Sequence, residues 1–68
     1  MNAQCTEEKM HIVSYNGAPV AGRCTLFGAN NAMNERRLAH YATVRDAYDS
    51  WAHYLSVNHW TVTSVPTT

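Results

Sequence analysis

The sequence predicts an α+β fold: a small antiparallel sheet of three to four strands, in the order β-β-β-α-β, with one amphipathic helix packed on one face. Three observations carry that expectation. Asn16-Gly17 stands between two apolar runs, KMHIVSY and APVAGRCTLF, and Asn-Gly signals a hairpin because both turn residues must tolerate positive φ. Val44, Ala47, Tyr48, Trp51 and Leu55 recur as one apolar stripe at helical spacing. WTVTSV alternates from Trp60 onward and reads as a strand that Pro66 stops.

Taken in order, residues 1–8 are polar and expected to be loosely attached. A two-residue hairpin loop pairs Tyr15 with Ala18 and Val13 with Val20. Alternation then sets Val13, Tyr15, Val20, Cys24 and Leu26 on the core face, with Gly22 among them, and Met10, Ile12, Ser14, Arg23 and Thr25 on the other. Pro19 has no N–H to donate and belongs at an edge or a non-hydrogen-bonded position. GANNAMN, residues 28–34, reads as a loop. Residues 35–42, ERRLAHYA, read as a short third strand, with an irregular segment or a helical lead-in as alternatives. Thr43-Val44-Arg45-Asp46 resembles a capping box, so the helix is expected to begin after Thr43. It ends at Ser56-Val57-Asn58-His59, where Asn58 can take a left-handed conformation.

A chain of 68 residues makes one domain, 1–68, with 66–68 as a tail. A chain this short buries roughly 60% of its unfolded surface, so its core is small. The hydrophobic content of 46% argues against disorder. Five Lys+Arg balance five Asp+Glu, which counts against a dominant attraction to nucleic acid and equally against an acidic DNA mimic. The opening MNAQCTEEKM has neither the basic nor the apolar region of a secretory signal. No apolar run approaches the roughly 20 residues of a membrane span. The expected location is therefore cytoplasmic, with Cys5 and Cys24 as reduced thiols. Their spacing matches no CxxC motif; a structural disulfide, which small domains sometimes need, is the alternative.

Asp46, Asp49 and His53 share the outer side of the predicted helix, and a carboxylate–histidine pair can orient a base or hold a metal. Nothing in the sequence supplies a nucleophile or substrate clamp beside them, so the row reads as solvent face. Cys5, Cys24, His11, His40, His53 and His59 offer enough atoms for zinc but no close ligand pair. Cys24, expected in the core, is a poor nucleophile. The expectation is a non-enzymatic chain with no cofactor and no metal.

Lys9, Arg23, Arg36, Arg37 and Arg45 are the only cations. Arg23, Arg36 and Arg37, with Tyr41 and the loop residues Asn30, Asn31 and Asn34, form the predicted partner-binding set. A protein partner is the first expectation. Nucleic acid, read through the sheet with Arg36 and Arg37, is the second. The outer sheet face, with Met10, Ile12 and Phe27, has the composition of a protein-binding patch or of a homodimer contact.

The element order, the size and the stretch Thr43-Val44-Arg45-Asp46-Ala47-Tyr48-Asp49-Ser50-Trp51 resemble small phage-encoded inhibitor proteins of the anti-CRISPR type. Those often join an Asn-Gly hairpin to a Thr-capped helix carrying Ser-Trp and a later tyrosine, here Ser50-Trp51 and Tyr54. The resemblance implies action by binding a subunit of a host defence (CRISPR-Cas) complex rather than by catalysis.

Overall fold

The computed structural model describes residues 9–66. β1 (Lys9–Tyr15) and β2 (Ala18–Arg23) form the hairpin expected from Asn16-Gly17. Asn16 (φ 50°) and Gly17 (φ 88°) both take positive φ, as a two-residue turn of this hand requires. β3 (Trp60–Pro66) pairs on the other side of β1, giving a three-stranded antiparallel sheet in the order β2-β1-β3. The α+β class holds.

The hairpin register departs from expectation within two residues of the turn. Tyr15 faces Ala18 and Ser14 faces Pro19, but Val13 faces Ala21 rather than Val20. Val20 is the extra residue of a β-bulge, placed just where Pro19 cannot donate to the ladder. The slip moves Ala21 onto the core face beside Val13 and leaves Val20 exposed. Cys24 and Leu26 leave the strand altogether: Cys24 follows β2, and Leu26 opens a helix. Cys24 is disulfide-bonded, which corrects the reduced-thiol expectation. The chain has one other cysteine, Cys5, which lies outside the described residues. The physical reason is the core, where among the described residues only Val13, Ala29, Ala32 and Tyr54 are buried hydrophobics. A core of that size benefits from a covalent staple.

The larger correction lies between residues 26 and 57. The predicted loop at 28–34 and third strand at 35–42 are one continuous helix, α1 (Leu26–Val44). Thr25 caps it: its Oγ1 accepts from the Gly28 N–H at 3.0 Å, and its carbonyl accepts from the Ala29 N–H. The asparagines that suggested a loop sit on the exposed side, where each costs a helix at most about 0.7 kcal/mol. Ala29 and Ala32 face the sheet and are small enough to let the helix approach Val13, with Ala21, Met33, Trp60 and Val62 packed around them. Tertiary burial therefore outweighs local propensity.

The predicted single helix after Thr43 is interrupted. A short 3-10 turn covers Arg45–Ala47, and α2 (Trp51–Val57) begins only after Ser50. The Thr43 hydroxyl donates to the His40 carbonyl of the preceding turn instead of capping. Ser50 Oγ takes the capping role, accepting from the His53 N–H at 3.1 Å. Asn58 closes α2 in an extended conformation (φ −106°, ψ 110°), not the left-handed one expected. Its buried amide explains this, because Nδ2 donates to the Tyr54 carbonyl while Oδ1 accepts from the Tyr15 hydroxyl at 2.5 Å. A side chain held on both sides fixes the backbone.

α2 folds back so that Tyr54 enters between the second half of α1, the end of β1 and the start of β3. Its ring lies near those of Tyr41, Tyr48 and Trp51 at 5.0–5.4 Å between centroids. Asn16 ties the hairpin turn to the start of β3: its Oδ1 accepts from the His59 N–H and its N–H donates to the His59 carbonyl.

Candidate interaction surface

The residues chosen from sequence as a partner surface fall into three environments. Asn30, Asn31 and Asn34 are exposed on α1, on a helix rather than on the expected loop. Arg37 donates to Asn34 Oδ1 and lays its guanidinium 5.7 Å above the Trp51 ring, a cation–π position. Tyr41, one turn on, packs edge-on against Trp51 and Tyr54. Both side chains are thereby half-committed to holding α2 on α1. Arg36 is exposed, next in sequence to Arg37 but about 100° around the helix from it. Arg23 lies at the end of β2, its guanidinium donating to the Gly22 carbonyl and its stem close to Gly28. The asparagines share a face with one another; the arginines do not join into one patch.

That face carries two large apolar residues, Leu38, which the sequence reading passed over, and Phe27, which it placed elsewhere. Phe27, Asn31, Asn34 and Leu38 follow at steps of four, three and four, and so occupy one side of α1, opposite Ala29, Ala32 and Met33. Phe27 is 77% exposed and Leu38 57%. The spacing was present in the sequence, but it becomes visible only once residues 28–34 are read as helix. Phe27, assigned above to the outer sheet face, is on α1 instead.

The acid–base row is solvent face. Asp49 is 99% exposed, and its carboxylate stands 4.0 Å from His53 Nδ1. That nitrogen accepts from the Asp49 backbone N–H at 3.1 Å. Asp46 lies in the 3-10 turn, no longer on one helix with the other two. Among the described residues no cluster of metal-ligating side chains and no enclosed pocket is found.

The best-ordered polar chemistry is structural. Tyr54, fully buried, has its hydroxyl 2.7 Å from His40 Nδ1 and 3.1 Å from Trp60 Nε1. An indole can only donate, so the hydroxyl accepts from Trp60, and the imidazole tautomer sets the direction of its bond with His40 Nδ1. Burial raises the Tyr54 pKa above its ordinary 10.0, partly offset by the Trp60 hydrogen bond. In the sequence Tyr54 stood out only as the tyrosine after Ser50-Trp51 in the resemblance to small phage inhibitors.

No protein family, curated protein or solved structure matches the chain. No helix among the described residues is long and apolar enough to cross a membrane.

Proposed function

We propose that this chain is a non-enzymatic binding protein that docks on a protein partner through the outer side of α1. The observation that carries the reading is the exposure of Phe27 and Leu38 on one helix face, with Asn31 and Asn34 between them. Two large apolar side chains spaced by amides give a partner both burial area and hydrogen-bonding groups. Apolar anchors a few turns apart are also how a helix is read by a groove. In its sharpest form the partner is a subunit of a host CRISPR-Cas complex, and the chain is a phage or mobile-element inhibitor acting in the host cytoplasm. The Cys24 disulfide is the feature that tests this form, because cytoplasmic thiols are kept reduced. An inhibitor working there must bind when reduced.

The experiment expresses the chain in cells whose CRISPR-Cas system targets a phage, across effector types, and counts plaques. Restored plaquing in one type, lost with Phe27→Asp and Leu38→Lys, supports the inhibitor. No restoration in any type overturns that form. Absence of any stoichiometric partner under both oxidising and reducing conditions overturns the binding reading itself. Nucleic-acid recognition through the sheet has less support, since Met10, Ile12, Ser14, Gly22, Thr61, Thr63 and Val65 on its open face include neither a cation nor an aromatic.

A further inference from the structure

The two outer edges of the sheet are built differently. β2 carries Pro19, the Val20 bulge and Arg23 along its edge, all of which discourage a further strand. β3 pairs with β1 through seven consecutive residues, from Lys9↔Pro66 to Tyr15↔Trp60, without a shift. Its other edge faces no strand among the described residues. From Trp60 to Val65 it carries no charge, no glycine and no proline. A regular, uncharged, β-branched edge is a template for another strand.

We propose that the strand it takes is β3 of a second copy of this chain, antiparallel about a two-fold axis at Thr63, giving one continuous six-stranded sheet. The composition of β3 selects itself as partner. Because Trp60–Val65 is uncharged, self-pairing sets no like charges opposite one another. With Thr63 facing its own counterpart, Thr61 stands opposite Val65 of the second copy and Val62 opposite Ser64. This register keeps Val62 on the helix-covered side and Thr63 on the open side in both copies. It runs the length of β3, with Trp60 opposite Pro66 at each end, where the missing proline N–H closes the ladder. The open faces then become continuous. On each, Met10 and Ile12 lie over Gly22, with Met10 Sδ at 3.4 Å and Ile12 Cδ1 at 3.5 Å from where a Cβ would stand, and Val65, now exposed, gains a cross-strand neighbour. Pairing one strand edge covers less than the about 1,200–2,000 Å² of a stable interface, so the dimer is weak, with dissociation on the order of 0.1 mM.

Sedimentation equilibrium from about 10 μM to about 1 mM, with and without reductant, brackets that constant. The expected mass rises from 7.6 kDa toward twice that value in both conditions. Thr63→Lys and Thr63→Asp should each weaken association at least about tenfold by placing like charges opposite, and their equimolar mixture should recover it. Circular dichroism checks that each variant is folded; Thr63→Arg or Thr63→Glu replaces whichever one is not. Phe27→Asp should leave the dimer intact, which separates this contact from the α1 surface. A mass fixed at 7.6 kDa across the range overturns the proposal. So does a dimer indifferent to the Thr63 variants, one abolished by reductant while circular dichroism shows the reduced chain still folded, or a charge-swapped mixture that stays monomeric.

Discussion

Replacing Tyr54 by Phe isolates the hydroxyl at the centre of the fold. The ring, fully buried, keeps its contacts with Tyr41, Tyr48 and Trp51, and only the oxygen is lost. Two hydrogen bonds go with it, the 2.7 Å bond shared with His40 Nδ1 and the 3.1 Å bond from Trp60 Nε1. A buried group left without a partner costs about 1–3 kcal/mol. His40 and Trp60 are each half-buried, so water can reach part of each ring and the lower end applies. About 1 kcal/mol per bond gives a loss of about 2 kcal/mol. A domain of this size has a total stability of about 3–10 kcal/mol, and the loss corresponds to a fall in Tm of about 8–16 °C. Urea unfolding followed by the fluorescence of Trp51 and Trp60 measures it, with an unchanged m-value showing that only the native state was altered. A loss under about 0.5 kcal/mol would refute the hydrogen-bonded hydroxyl as a determinant of stability.

The other predictions concern separate parts of the chain. The raised pKa of Tyr54 means that the folded state keeps a proton the unfolded chain has lost, so stability should fall as pH rises above the ordinary value of 10.0; Tyr54→Phe should remove that contribution in alkaline urea titrations. Thr25→Ala and Ser50→Ala should each cost about 1 kcal/mol by uncapping α1 and α2, again read from urea midpoints. Asp49→Asn should change stability by less than about 0.5 kcal/mol, because its partner is a weak surface pair. Reduction should lower stability by about 3 kcal/mol if Cys24 bridges to Cys5 within the chain, closing a loop of roughly 20 residues; thiol alkylation with mass spectrometry confirms the redox state.

The parts of the fold legible in the sequence are those fixed by local stereochemistry. Asn16-Gly17 dictated a turn that any fold would have to respect, and the alternation from Trp60 survives as β3. The middle was misread because its signals are non-local. GANNAMN is polar and glycine-bearing, yet Gly28 sits in the first turn of α1 and the asparagines face away from the sheet. What makes the segment helical is the pair Ala29 and Ala32, whose value lies in how closely they let the helix approach Val13. Alanine carries no strong apolar signature in a pattern count. The stripe Val44, Ala47, Tyr48, Trp51 and Leu55 was real as periodicity but did not predict continuity, since Ser50 caps more effectively than Thr43. Of the predicted surface, the asparagines were placed on one face only by the helix that replaced their loop. Arg37 and Tyr41 were drawn off it by Trp51, a member of the predicted apolar stripe, and by Tyr54.

Phe27 and Leu38 separate folding from binding most sharply. A phenylalanine or leucine contributes about 1.5–3 kcal/mol when buried, and with so few buried hydrophobics among the described residues that contribution matters for stability. Neither residue supplies it, because the sheet is covered by the opposite side of α1 through Ala29, Ala32 and Met33. Substituting them should therefore behave unlike any core substitution. Phe27→Asp places a carboxylate in the first turn of α1, where the helix dipole favours it, and should stabilise the chain or change it by less than about 0.5 kcal/mol. Leu38→Lys keeps a good helix former at an exposed position and should likewise be neutral. Urea midpoints within that margin, together with lost partner binding, would tie the exposed apolar pair to recognition. A loss of about 2 kcal/mol or more at either position would instead show that these side chains support the fold, and the α1 surface would lose its claim to be the binding face.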